Sequence, residues 1–262
     1  MSALLHGSRE ASNDVAIMKA FAQRPDRTKS NRFLATLPHT DHALLAPHLH
    51  PVPLERGDLL HDAGDEIEHV YFPHDGMISL VAVMQDGATV ETATVGRGGA
   101  VGATAGLGSR CAFGRAVVQL PGWAERMPCA RFHAIAQQND AVRNLVVRYN
   151  DLLIMQIQQS VACNALHALE ARLCRWLLQT HDCVESNAVP LTQEFLGQML
   201  GVRRTTVTIA ARLLQSAGMI RYRRGLVQVI DRAALEDAAC ECYALVRRQT
   251  DRIFPPPPTG HK

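Results

Sequence analysis

The stretch from Leu191 to Ile230 constrains the chain more than any other. Thr192 stands where a hydroxyl can accept from the free amides of a helix's first turn, and Glu194 suits the positive end of that helix. Phe195, Leu196, Met199 and Leu200 give it an apolar face at helical spacing, and Gly201 supplies a sharp turn. The pattern predicts a second helix from Arg204 to Ser216, with Val207, Ala210, Ala211 and Leu214 facing inward. Gly218 falls just past its end, where a left-handed residue is wanted. Met219–Tyr222 and Leu226–Ile230 are β-rich runs joined by Arg223-Arg224-Gly225, a hairpin signal. Helix, tight turn, helix and hairpin make a winged helix-turn-helix, whose second helix enters the DNA major groove.

Charge points the same way. The stretch holds Arg203, Arg204, Arg212, Arg221, Arg223 and Arg224 against the single acid Glu194, a net +5 in a chain whose total is +2. Positive charge is therefore concentrated where phosphates would lie. An ordinary helical hairpin with a solvated basic face is the plainer alternative.

At 262 residues, 47% hydrophobic and 20% charged, the chain is long enough for two domains with cores of their own. No apolar run approaches the ~20 residues needed to span a bilayer, and the N-terminus lacks a signal peptide's apolar core. A cytoplasmic protein with no membrane partner is expected. The seven cysteines (Cys111, Cys129, Cys163, Cys174, Cys183, Cys240 and Cys242) are odd in number and scattered, which fits reduced thiols.

Residues 1–30 are polar and mixed and read as a flexible tail. Residues 31–130 read as a β-rich, effector-type domain. Short helices Asn31–Leu37 and His39–His48 precede strands at Asp58–His61, Val70–Pro73, Met77–Met84, Thr89–Val95, Arg115–Leu120 and Trp123–Met127. Strands at this spacing suggest a rolled all-β unit. Gly96–Gly102 nearly matches a dinucleotide fingerprint, but Val101 takes the third glycine position and the strand-then-helix context is missing. Residues 131–164 hold a long helix, free of proline and glycine from Asp140 to about Val161, in which Val142, Val146, Tyr149, Leu153 and Ile157 form one stripe. Leu145, Leu152 and Met155 give it a second, partly apolar side. A helix at Ala165–Leu178, lined by Leu166, Leu169, Leu173, Trp176 and Leu177, opens the domain at 165–250. Asp231 caps a terminal helix over Ala233–Val246, and residues 251–262, with Phe254 leading four prolines, form a Pro-rich tail expected to be disordered.

The order of β-roll, long helix and winged helix-turn-helix resembles the Crp/Fnr family of bacterial transcription regulators over residues 31–247. The resemblance is carried by Gly201-Val-Arg-Arg-Thr-Thr-Val, and in the roll by Gly57-Asp58, Gly64-Asp65, Gly99–Gly102 and Arg110-Cys-Ala. It implies an α+β fold with an N-terminal cyclic-nucleotide-binding-like β-roll, a long dimerisation helix and a C-terminal winged helix-turn-helix. It also implies double-stranded DNA, a second copy of the chain and RNA polymerase as partners, the last with no residues assigned to the contact. Residue by residue, it makes Arg204 the base-contacting arginine, with Thr205 and Thr208 beside it. Arg203, Thr206, Arg212 and Gln193 would touch phosphates, and Arg223 and Arg224 would reach the backbone from the wing. The stripe Val142, Val146, Tyr149, Leu153 and Ile157 would pair with its copy as a coiled coil.

Family members that bind a cyclic nucleotide pair a Gly-Glu with a later Arg-Ser/Thr-Ala. Here Gly102 is followed by Ala103, and Arg110 by Cys111. Both a carboxylate and a hydroxyl are lost from the pocket. The effector is expected not to be a cyclic nucleotide, and no cofactor is expected. No metal is expected either. His39-x-x-His42 and His48-x-His50 lack a neighbouring cysteine; Cys163, Cys174 and Cys183 are widely spaced; Cys240-x-Cys242 would place its thiols on different sides of one helix. The chain has no P-loop, G-x-S-x-G or H-E-x-x-H, so an enzyme is not expected. The alternative function is a module that binds a cyclic nucleotide or other small molecule and whose basic domain contacts a protein.

Overall fold

A computed structural model describes residues 31–255 apart from 109, 185, 186 and 224. The tail expected at 1–30, most of the Pro-rich segment and Arg224 lie outside the described residues.

Asn31 anchors the first helix, α1 (Arg32–Ala35). Its side-chain oxygen accepts from the Leu34 amide, and its own amide donates to the Pro73 and Gly99 carbonyls at 2.7 and 2.9 Å. Helix α2 (His39–Leu45) ends in a 3-10 turn at Ala46–His48. Seven strands follow: β1 (His50–Leu54), β2 (Leu59–His61), β3 (His69–Pro73), β4 (Met77–Val83), β5 (Thr89–Val95), β6 (Arg115–Leu120) and β7 (Gly122–Pro128). They form two antiparallel sheets, ordered β1-β7-β3 and β2-β6-β4-β5. Leu54 and Ala124 from one sheet meet Ile78, Val95 and Val118 from the other in one buried cluster, so the sheets close face to face. Strand β1 was not expected from its Pro51 and Pro53. It lies at a sheet edge, the place where a strand tolerates prolines.

Two helices fill 131–164, and the long one starts at Asp140 as expected. α3 (Cys129–Gln138) stops at Asn139, whose side chain accepts from the Val142 amide and starts α4 (Asp140–Leu166). α4 runs two residues past the expected boundary. Leu166, expected on the inner face of the next helix, is instead 79% exposed at the end of α4. That next helix is α5 (Leu169–Cys183).

The winged unit follows as β8 (Ala188–Pro190), α6 (Gln193–Leu200), α7 (Arg204–Ser216), β9 (Ile220–Arg223) and β10 (Leu226–Val229), with sheet order β8-β10-β9. Thr192 caps α6 by accepting from the Phe195 amide, and Gly201 closes it in the left-handed region at φ 64°. Met77 and Leu120 of the roll share a core with Trp176, Leu196 and Leu214, so the two domains are packed on one another. Inside that interface Glu91 is buried. It accepts from the Trp176 indole at 2.8 Å and from the Ser79 hydroxyl, and burial pushes its pKa up to about 7.

The C-terminal segment departs most from expectation. The helix expected at 233–246 is two short helices, α8 (Arg232–Ala238) and α9 (Cys242–Ile253). α9 leaves the winged unit and packs along α4, and Arg32 pairs with Asp251 at 2.7 Å. Residues 251–255 are therefore not part of a loose tail. Phe254 is fully buried, its ring 5.7 Å from Phe33 and 5.9 Å from Tyr149. No described helix is long and apolar enough to cross a membrane.

Candidate nucleic-acid interface

Helix α7 buries Val207, Ala210, Ala211 and Leu214 and turns its other side outward. Arg203 at its N-cap and Arg204, Thr205, Thr206 and Arg212 are all exposed. Thr208 is half-buried. Its hydroxyl lies 2.7 Å from the Gln193 side-chain oxygen and 3.0 Å from the Arg204 carbonyl. The contact with Gln193 ties the start of α6 to the second turn of α7 and takes up the Gln193 carbonyl rather than its amide donors. Gln193, Arg204, Thr205, Thr208, Arg212 and Tyr222 line one open groove. Arg223 stands exposed on the wing beside it. The first-turn amides of α7 and these guanidiniums give the groove donors and positive charge, which suits phosphate oxygens and base-edge acceptors.

Ile209 and Leu213, 60% and 53% exposed, occupy the same outward side and were not singled out from the sequence. The signal was present, since both fall outside the inward set of 207, 210, 211 and 214.

The other candidate corner differs. Gly102 is left-handed at φ 82°, and Ala103, in a 3-10 turn at Ala103–Gly106, is fully buried. Arg110 is exposed and its guanidinium pairs with Glu66 at 2.7 Å. Cys111 bridges to Glu66 through its backbone and is exposed. The positive group expected to meet a cyclic phosphate is thus joined to a carboxylate of its own chain.

Two family models match the chain. Residues 51–139 match the cyclic nucleotide-binding domain and residues 171–238 the Crp-like helix-turn-helix domain, together more than half of the chain. The chain belongs to the Crp/Fnr family. Solved structures share the fold at low identity. A Crp/Fnr-family regulator from Eubacterium rectale aligns over 78% of this chain and 95% of its own, at TM-score 0.61 and 15% identity. A CRP-family regulator from Thermus thermophilus covers 72% and 96%, at 0.60 and 22%. The c-di-GMP-responsive global regulator CLP of Xanthomonas campestris covers 73% and 99%, at 0.60 and 16%. No curated protein sequence matches the chain. The protein is a Crp/Fnr-type transcription regulator with a helix-turn-helix DNA-binding domain, not an enzyme.

For a Crp/Fnr protein the long helix holds a surprise. Val142, Val146 and Tyr149 of the expected dimer stripe are buried in their own chain, beside Phe33 and Phe254, and Leu153 is only half-exposed. The second side considered, Leu145 and Leu152, is buried as well. The apolar side left open is a third one: Val147, Ile154, Ile157 and Val161, 42%, 45%, 36% and 66% exposed. Of the expected stripe only Ile157 belongs to it. The rest was claimed by α9 and the N-terminal aromatics, elements far away in sequence.

The cysteines also depart from expectation. Because the chain breaks at 239–241 between α8 and α9, Cys240 and Cys242 do not diverge on one helix. Both thiols reach the last turn of α4, where their Sγ atoms, that of Cys163 and a ring nitrogen of His167 all lie within 4.8 Å of one another. Cys174 and Cys183 are not in this group; burial pushes their thiols up to about 11 and about 12. Among the described residues this is the one group of three or more His, Cys, Asp or Glu side chains that could share an ion, and the histidines of the first third are not in it.

Proposed function

We propose that the chain binds DNA as a homodimer, with α7 of each copy in the major groove, and that it does so without a cyclic nucleotide. The outward side of α7 carries this reading. Arg204 would meet guanine O6 and N7 with both arms of its fork, and Thr205 and Thr208 would read adjacent base edges. Arg203, Thr206, Arg212, Gln193 and the wing Arg223 would hold phosphates and set register. Ile209 is placed for apolar contact with a thymine methyl.

The open side of α4 supports the dimer. Val147, Ile154 and Val161 recur every seven residues with Ile157 between, the spacing of a seam along which a second copy of the helix can pack. The buried Ala103 and the Arg110–Glu66 pair support an effector other than a cyclic nucleotide, since neither the carboxylate nor a free arginine is offered. RNA polymerase as a further partner rests on the family alone.

Selection of bound fragments from genomic DNA by the purified protein, with and without added cyclic nucleotides, tests the reading. A two-fold symmetric motif with half-sites about 34 Å apart, recovered without nucleotide, is the expected result. A motif that appears only with nucleotide overturns the effector reading, and binding with no sequence preference overturns the assignment of base contacts.

A further inference from the structure

We infer that Cys163, His167, Cys240 and Cys242 form a tetrahedral zinc site that staples the end of α4 to the turn between α8 and α9. The Sγ atoms of Cys163 and Cys240 are 3.5 Å apart, and the Cys242 Sγ is 3.4 Å from His167 Nδ1. A zinc ion with Zn–S bonds of about 2.3 Å and a Zn–N bond of about 2.0 Å sets ligand atoms about 3.5–3.8 Å apart on the edges of a tetrahedron. The four groups are therefore already near the spacing of one metal ion. The four ligands of a [4Fe–4S] cluster bind four different irons and those of a [2Fe–2S] cluster divide between two, so four groups gathered round one point fit a single ion better.

The surroundings are those of a ligand set. Cys163 and Cys242 are fully buried and Cys240 nearly so. Cys163 lies in the last turn of α4 and His167 is its C-cap, whose amide donates to the Cys163 carbonyl at 3.1 Å, which brings the two side chains to the same end of the helix. His167 presents Nδ1 to the thiols while Nε2 faces the Glu241 carboxylate at 3.3 Å, the arrangement that fixes the tautomer of a metal-bound histidine. The Gln159 amide donates to the Cys242 sulfur at 3.0 Å. Zinc with three thiolates carries one net negative charge, and Arg172 and Arg175 both lie close enough to act on Cys163 electrostatically. On binding, zinc displaces the thiol protons to solvent and takes the His167 lone pair.

A Cys163–Cys240 disulfide is the rival use of these groups. It needs an S–S bond of about 2.05 Å where the sulfurs are unbonded, and it leaves Cys242, His167 and the Glu241 contact without a role.

The test uses the full-length protein purified under reducing conditions, its metal content measured after dialysis, and cobalt(II) as a spectroscopic probe. One zinc per chain is expected, together with intense visible d–d bands and thiolate-to-cobalt charge transfer on cobalt substitution. Cys242→Ser should weaken zinc binding by more than the about 10–100-fold typical of losing an outer partner such as Glu241. His167→Cys retains four donors, so it should keep the metal and shift the cobalt bands to longer wavelength. This variant does not depend on a ligand deletion that unfolds the chain. Reconstituted protein that holds less than a tenth of an equivalent of zinc and gives no tetrahedral cobalt spectrum overturns the site. So does iron with acid-labile sulfide, a Cys163–Cys240 disulfide in metal-free protein, or a cobalt spectrum unmoved by His167→Cys. None of these readouts involves DNA, so failure of the DNA-binding reading leaves them unaffected.

Discussion

Arg204 and Arg110 both sit in family motifs, and the structure treats them oppositely. Arg204 opens the outward side of α7, exposed, with Gln193, Thr208 and Arg212 along the same groove. Arg110 is paired with Glu66, and the residue after Gly102 is a buried alanine. An arginine alone therefore does not make an anion site. What differs is whether its neighbours leave the guanidinium for an outside acceptor or supply a carboxylate themselves.

The contrast is tested most strongly through the helix that joins the two ends. Ile154→Glu puts a carboxylate on each copy of the open α4 side. Sedimentation should then show a monomer, and affinity for a two-half-site DNA should fall by about 100-fold or more, because linked half-sites lose their avidity. A dimer that persists would mean the copies meet elsewhere.

Glu91 asks whether the two ends are held together by a titrating contact. Its folded pKa of about 7 lies above the 4.5 of an exposed carboxyl, and burial is the main cause, opposed by Ser79, Arg175 and Trp176. The docked state thus binds a proton that the separated or unfolded state gives up. Its contribution is full below about pH 4.5, falls as pH rises to about 7 and is flat above, a span of roughly 3 kcal/mol. Denaturant titrations across that window should show the decline, and Glu91→Gln, which cannot ionise, should remove it. An unchanged slope in the variant would assign the pH dependence to other groups.

Smaller effects separate the two arginines directly. Arg204→Ala should cost about 1–3 kcal/mol on the preferred site and relax preference at one base pair. Equal weakening on all sequences would make Arg204 a phosphate contact. Arg212→Ala should weaken binding almost uniformly and lower the salt slope by about one. Arg110→Ala breaks one exposed ion pair, so stability should change by less than about 1 kcal/mol, and DNA affinity should be unchanged. A large loss of DNA binding there would show that the roll's corner is working as an effector site after all.

The winged unit was legible because its signals are local. Thr192 caps α6 within three residues, Gly201 ends it, and Asp231 caps α8 by accepting from the Ala234 amide. Each interaction spans one turn of chain, so residue type and spacing determine it. The strands of the roll were legible for the same reason, apart from β1, whose prolines disguised an edge strand.

What the sequence could not assign depends on partners far along the chain. The 27 residues of α4 have apolar groups on three sides, and which side stays open was decided by Phe33, Phe254 and α9. Cys163 and Cys240 are 77 residues apart and meet only because α8 ends early and α9 turns back along α4. Composition, helix caps, the turn chemistry and the basic α7 side were determined by the sequence itself, since their energies arise between near neighbours. The open side of α4, the buried Glu91 and the convergence of three thiols with one imidazole were decided by tertiary packing, since each arises from burial shared between elements with no local signal linking them.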